Sequence, residues 1–308
     1  MLKVEIKSMG VALPENFIEL KAGRRYRISG SETHLGLLCK SAERALEESG
    51  MTIDDIDVII GACAVGLQPI PCTAALVHEV IAKGRNIPAF DVNSTCTSFI
   101  TALDVAGNYI QNGRYKNVLI VSGDVASIAL NENESHSFEL FGDGAVSAVV
   151  TPSESSEILY CRQYTYSNAA HMTEIKGGGS YMPAFEYTPE NKHNYQFHME
   201  GRKALMATME PVAKLFADIE KDSGIKVEDI DLIVPHQASS ALSLIMRKMN
   251  VPADKYIDLV KEYGNMVSAS VPFALDYAIR EGRVKRGSIV MLVGTAAGLT
   301  LNVIIMRY

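Results

Sequence analysis

The sequence has only five cysteines in 308 residues, Cys39, Cys63, Cys72, Cys96 and Cys161, with no CxxC spacing and no nearby pair of histidines. Such an odd, scattered set argues against a disulfide framework and against a metal site, and a cytoplasmic, reducing setting is expected. Positive charge is also short: 29 Lys and Arg stand against 36 Asp and Glu, leaving a net charge of -7. Nucleic-acid backbones require a basic surface, so nucleic acid is not expected as a partner. One local basic cluster, Lys21, Arg24, Arg25 and Arg27, reads either as a docking point for an acidic partner or a phosphate, or as a solvated face. Long apolar runs are missing as well. Residues 288–306 carry no charge and approach the ~20 residues that span a bilayer, but Gly294, Thr295, Gly298, Thr300 and Asn302 interrupt them. That segment reads as two buried strands joined at 295–298, and no membrane span is expected. Residues 1–6 alternate like a strand and lack the apolar region of a signal peptide.

What the chain does contain is enough apolar residue, 47%, with 21% charged, to build a large core. Residues 34–49 have helical spacing and stop at Gly50; residues 73–83 and 201–221 read as further helices. Residues 56–61, 117–123 and 145–151 read as buried strands, and 154–198 as strands and loops without a clear helix. Residues 10–14 read as a turn, and the basic stretch up to Arg27 as a surface excursion. Strands alternating with helices indicate an α/β protein with mostly parallel, buried sheets.

An internal repeat organises the whole. Gly50-Met-Thr-Ile-Asp-Asp-Ile-Asp-Val-Ile-Ile60 returns 174 residues later as Gly224-Ile-Lys-Val-Glu-Asp-Ile-Asp-Leu-Ile-Val234. Ala102-Leu103-Asp104 returns as Ala274-Leu275-Asp276, and Gly113-Arg114 as Gly282-Arg283, at spacings of 172 and 169. The chain therefore reads as two copies of one α/β unit, residues 1–158 and 159–308, packed about a pseudo-twofold with their buried helices between two sheets.

Residues 89–103 run from a short strand through small hydroxylated residues into an apolar helix, which sets Cys96 near a helix start. Free N–H groups and the helix dipole favour a thiolate there, although a buried core cysteine would look the same in this segment. The repeat separates the two readings. It carries Cys96 onto Ser268, three residues after Asn265, and carries Ala62 onto His236. Cys96 and Asn265 then begin equivalent helices, and His236 ends the equivalent strand. A thiol, an imidazole and a carboxamide in one interfacial cavity suit acyl transfer through a thioester. Cys96 would be the nucleophile, with main-chain N–H groups at its helix start stabilising the oxyanion. His236 and Asn265 would hold the enolate oxygen left when a malonyl thioester loses CO2.

Asp91-Val-Asn-Ser-Thr-Cys96, Phe141-Gly-Asp-Gly-Ala145, Val234-Pro-His-Gln-Ala238 and Tyr263-Gly-Asn265 together resemble the β-ketoacyl-acyl-carrier-protein synthase III family of the thiolase superfamily, nearly end to end and in order. The resemblance implies a five-layered αβαβα thiolase-like fold, a homodimer, and Cys96, His236 and Asn265 as catalytic triad. It implies acyl-CoA or acyl-carrier-protein thioesters as substrates, acyl carrier protein as partner, and no permanently bound cofactor. Cys96, Ala297 and Gly298 would supply main-chain oxyanion donors. Ile70 would cross the dimer interface to an acyl pocket shared with Phe99, Met182 and Phe185, and Lys21, Arg24 and Arg25 would dock the thioester carrier. Relatives that clamp a CoA nucleotide do so with a tryptophan and several arginines. This chain has no tryptophan and places Lys21, Ser135 and Ala241 where arginines are expected, so a carrier-borne acyl donor is credible. The expected reaction is decarboxylative condensation. Acyl transfer from Cys96 to an alcohol or amine, or service as a non-catalytic subunit of a heterodimer, are the alternatives.

Overall fold

The computed structural model describes residues 1–308. The first half runs β1 (Val4–Ala12), β2 (Phe17–Leu20), β3 (Gly23–Tyr26), α1 (His34–Ser49), β4 (Val58–Gly61), α2 (Thr73–Ile81), β5 (Ala89–Asp91), α3 (Ser98–Gln111), β6 (Val118–Asp124), α4 (Ser135–Leu140) and β7 (Gly144–Pro152). The second runs β8 (Glu157–Thr165), β9 (Thr173–Glu174), β10 (His198–Met199), α5 (Gly201–Ser223), β11 (Leu232–Pro235), α6 (Leu242–Lys248), α7 (Val260–Tyr263), α8 (Ser270–Arg280), β12 (Ile289–Ala296) and β13 (Thr300–Arg307).

The repeat in sequence is a repeat in structure. One sheet has the order β1-β7-β6-β4-β5 and the other β8-β13-β12-β11, the same path through equivalent strands. Where β5 lies beside β4, the second half has a single bridge from Ile233 to Tyr256. Helices α1 and α5 both end on a glycine in the left-handed region, Gly50 at φ 71° and Gly224 at φ 73°, whose N–H donates to carbonyls of the last turn. The boundary expected at 158 falls just inside β8.

Three apolar clusters lie between the layers. The largest joins α3 and α8 to the inner faces of both sheets, through Phe99, Leu103, Val271 and Leu275 among others. A second lies between the outer face of the second sheet and α5 and α6. The third packs α1 and α2 on the outer face of the first sheet. The order helix, sheet, helix, sheet, helix is the five-layered α/β arrangement expected of a thiolase-like chain.

Three local expectations are corrected. The sheets are mixed rather than mostly parallel, because β7 in one and β13 in the other run antiparallel to both of their neighbours. Residues 10–12 are strand, not turn: β1 continues to Ala12, and Gly10 lets α1 sit on it, since a Cβ there would meet Ser41 O at 2.2 Å. The basic stretch is a hairpin of β2 and β3, and Arg25 within it is fully buried, because its guanidinium finds main-chain carbonyls inside.

Candidate active site

Cys96 is held by the loop that follows β5. The Asp91 carboxylate turns away from it and accepts the N–H groups of Thr73 and Ala74, both at 2.8 Å, capping α2. Asn93 Oδ1 accepts Thr95 N–H at 2.8 Å while its Nδ2 donates to Ala64 O at 2.9 Å, fixing a tight turn. Thr95 takes φ 52°, a left-handed conformation that a β-branched residue adopts only under constraint. That turn delivers Cys96 to the single helical turn 95–97 in front of α3.

The same device recurs in the second half. Asn265 Oδ1 accepts Val267 N–H at 2.8 Å, Asn265 Nδ2 donates to Ala238 O at 3.4 Å, and Val267 takes φ 51°. Asn93 and Asn265 are therefore equivalent residues. Sequence reasoning missed Asn93, although the 172-residue spacing that linked Cys96 to Ser268 links these two as well.

His236 follows β11, its N–H donating to Val293 O at 2.8 Å. It is 4% exposed, and its Nδ1 has no hydrogen-bond partner in the protein. Burial lowers its pKa to about 4, so the imidazole is neutral at physiological pH. Gly294, on β12, separates it from the Cys96 turn: a Cβ at 294 would lie 2.9 Å from Thr97 Cγ2 and 3.1 Å from His236 Cβ. The main-chain N–H of Ala297, in the turn between β12 and β13 where Gly298 takes φ 84°, faces the Cys96 sulfur and favours its anion. Contacts thus run from Ala297 to Cys96, from Thr97 across Gly294 to His236, and from Ala238 to Asn265.

A resting thiolate, expected from the helix start, is not what this geometry produces. Burial first, and then the Asp124 carboxylate, push the Cys96 thiol up to about 12; the N–H groups of Ala297 and Cys96 itself pull the other way and lose. Asp124 is buried at the seam of the halves. It accepts Ala64 N–H at 3.2 Å, Val65 N–H at 2.9 Å, and both Ser268 N–H and Oγ–H at 3.1 and 2.6 Å. No motif in the sequence marked this residue.

The expected acyl-pocket residues are dispersed in the single chain. Ile70 and Phe185 are 85% and 86% exposed, and Met182 is partly buried. Phe99 has no exposed surface, so it borders no solvent-accessible space: it faces the central core from the inner side of α3. Of the expected docking residues, Lys21 and Arg24 are at the surface, where Arg24 pairs with Glu19 at 3.1 Å and stacks over Phe17. Arg25 is not available for docking because no part of it reaches solvent.

Two family models match the chain: 3-oxoacyl-[acyl-carrier-protein (ACP)] synthase III over residues 90–167, and the C-terminal region of the same enzyme over residues 221–308. The β-ketoacyl-[acyl-carrier-protein] synthase III of Aquifex aeolicus is 31% identical over 297 residues, covering 96% of this chain and 91% of the relative. That of Clostridium perfringens is 33% identical over 289 residues, covering 93% and 88%. The crystal structure of the Aquifex aeolicus enzyme superposes with a TM-score of 0.86 at 29% identity, covering 99% of this chain and 100% of that one.

Proposed function

The chain belongs to the 3-oxoacyl-[acyl-carrier-protein] synthase III family, and from that premise we propose that Cys96 carries the acyl group while His236 and Asn265 serve the malonyl thioester. As a member of that family it is an acyltransferase that condenses thioesters. In the first step Cys96 sulfur attacks the acyl thioester carbonyl; the bond to the donor thiol breaks, and that thiol leaves with the proton from Cys96. Because the thiol is held neutral, the proton must move during the attack rather than before it, and a neutral imidazole across Gly294 is the group able to relay it. In the second step the malonyl thioester loses CO2. The resulting enolate oxygen takes hydrogen bonds from a His236 ring N–H and the Asn265 amide, which are neutral donors in a dry site. The enolate carbon then attacks the acyl-Cys96 carbonyl, whose oxyanion lies toward the N–H groups of Ala297 and Cys96, with Gly298 giving the turn its shape. Collapse releases the β-ketoacyl thioester and the Cys96 thiolate, which takes up a proton.

The observation that carries this reading is Gly294, the missing side chain that leaves the Cys96 turn and His236 on either side of one gap. We take the halves 1–158 and 159–308 as the two units whose seam forms the site. The substrates are acyl-CoA or acyl-carrier-protein thioesters, with no resident cofactor called for by the steps above, and Lys21 and Arg24 are the surface cations for docking a carrier. The working form is a homodimer: β5 is a sheet edge with no neighbour beyond it, and Ile70 and Val65 stand exposed at 85% and 57% on the segment that leads to α2. No helix is long and apolar enough to cross a membrane, all five cysteines are free, and we assign the protein to the cytoplasm.

The test is incubation with a panel of acyl-CoA and acyl-carrier donors plus malonyl carrier, read by mass spectrometry of protein and product. Wild type is expected to gain one acyl group and release CO2 with a β-keto product, and Cys96→Ala to gain none. An adduct of normal stoichiometry on Cys96→Ala removes the nucleophile, and turnover without CO2 assigns the chain to ester or amide formation instead.

A further inference from the structure

Arg25 is the one arginine with no exposed surface, and it forms no ion pair. Its guanidinium is satisfied by main-chain carbonyls alone: Nε donates to Glu139 O at 2.7 Å, Nη1 to Arg24 O and, at 3.1 Å, to Lys261 O, and Nη2 to Ala22 O at 3.2 Å. Burying an unpaired cation is costly, and the desolvation lowers its pKa from the usual arginine value. A buried charge held only by dipoles from separate segments fixes those segments relative to one another.

The segments it grips are those that carry Asn265. Glu139 begins the stretch that pairs with Asn265, where Asn265 N–H donates to Leu140 O at 3.0 Å and Gly142 N–H to Asn265 O at 3.1 Å. Lys261 lies in α7, which ends at Gly264, the residue before Asn265. Gly264 takes φ 71° and ψ -161°, a conformation open to glycine alone, and a Cβ there would lie 2.4 Å from Leu140 O and 2.5 Å from Arg25 Nε. The guanidinium fills the space where residue 264 would carry a side chain. We propose that Arg25 is a positioning residue for Asn265: by clamping Glu139 and Lys261 from beneath Gly264, it sets the place of the carboxamide. The side chain's own bonds, from Val267 N–H at 2.8 Å on Oδ1 and to Ala238 O at 3.4 Å from Nδ2, orient the carboxamide on its loop, and Arg25 fixes where that loop stands. Lysine cannot substitute, because one ammonium lacks the planar fork that reaches carbonyls on both sides.

This inference rests on the reading of Asn265 as a malonyl-oxygen donor, and it separates the two half-reactions. The Cys96 turn is held by Asn93, and no hydrogen bond joins it to Glu139 or Lys261, although it packs on residues 267–269 that follow Asn265. Arg25→Lys and Arg25→Gln, each alone and combined with Asn265→Ala, are assayed for acyl-Cys96 formation by intact mass and for CO2 release from malonyl carrier, with thermal unfolding alongside. Arg25→Lys is expected to acylate within about threefold of wild type while kcat for CO2 release falls about 10²-fold, with no further loss when Asn265 is already alanine. Equal losses in both half-reactions, an undiminished loss in the Asn265→Ala background, no loss at all, or failure of both variants to fold would each overturn it. With normal wild-type turnover, such a result overturns the role of Arg25 alone. A wild type that acylates Cys96 but releases no CO2 overturns the reading of Asn265 and this inference with it.

Discussion

At the scale of single residues, the proposed chemistry depends on keeping two titratable groups neutral. Cys96 lies where a helix start should favour the anion, yet burial and the Asp124 carboxylate outweigh that dipole. His236 is buried with no acid beside it to hold a proton, so its pKa falls from 6.5 to about 4. The pH dependence follows with a definite sign. Between those two values the unfolded chain binds a proton at residue 236 that the folded protein refuses, so stability is whole above pH 6.5 and declines as pH falls toward 4. The loss is on the order of 3 kcal/mol for a shift of this size. His236→Asn, which carries no titrating group, should narrow the stability difference between about pH 7.5 and about pH 4.5 in urea unfolding; a difference as wide as that of wild type would count against a buried neutral histidine.

At the scale of elements, the chain builds one turn twice, once in each half: an asparagine closing on the amide two residues ahead, a β-branched residue at positive φ, then a helix. In the first half that turn presents a thiol. In the second, Ser268 occupies the thiol's position and turns inward to Asp124. This short Oγ–H bond to a buried carboxylate ties the start of α8 to β6 across the seam. Ser268→Ala keeps the N–H bond and the helix but removes the hydroxyl, and should lower unfolding free energy by about 1.5–3 kcal/mol. Denaturant unfolding checks it, and a change under about 0.5 kcal/mol would mean that the hydroxyl does not help to hold the seam.

At the scale of the whole molecule, the single chain leaves residues that we propose for the acyl site uncovered. Ile70 and Phe185 are among its most exposed apolar side chains, and β5, which lies against the helix that follows Ile70, offers an unpaired edge. A second copy added at that edge would cover Ile70 and the unpaired strand together. Sedimentation should therefore give twice the chain mass, and Ile70→Asp should shift the protein toward monomer or lower its uptake of medium-length acyl groups. A monomeric wild type with full acyl uptake would show that the pocket closes within one chain.

The amino-acid order by itself determined the helix that stops at Gly50, the long helix over 201–221, the two buried strands after residue 288, and above all the duplication, because each depends on local periodicity and on spacing along the chain. Cys96, His236 and Asn265 could be singled out on that basis, since a repeat converts positions into symmetry mates. Only the tertiary structure decided what became of Arg25, Asp124 and Phe99. A cationic stretch reads as surface until a cage of carbonyls is assembled around one guanidinium from residues 22, 24, 139 and 261. Nor does a strand-end aspartate reveal that four donors from Ala64, Val65 and Ser268 converge on it. Hydrogen bonds between segments far apart in sequence, and the burial that shifts proton affinity, exist only once the two halves have closed on each other.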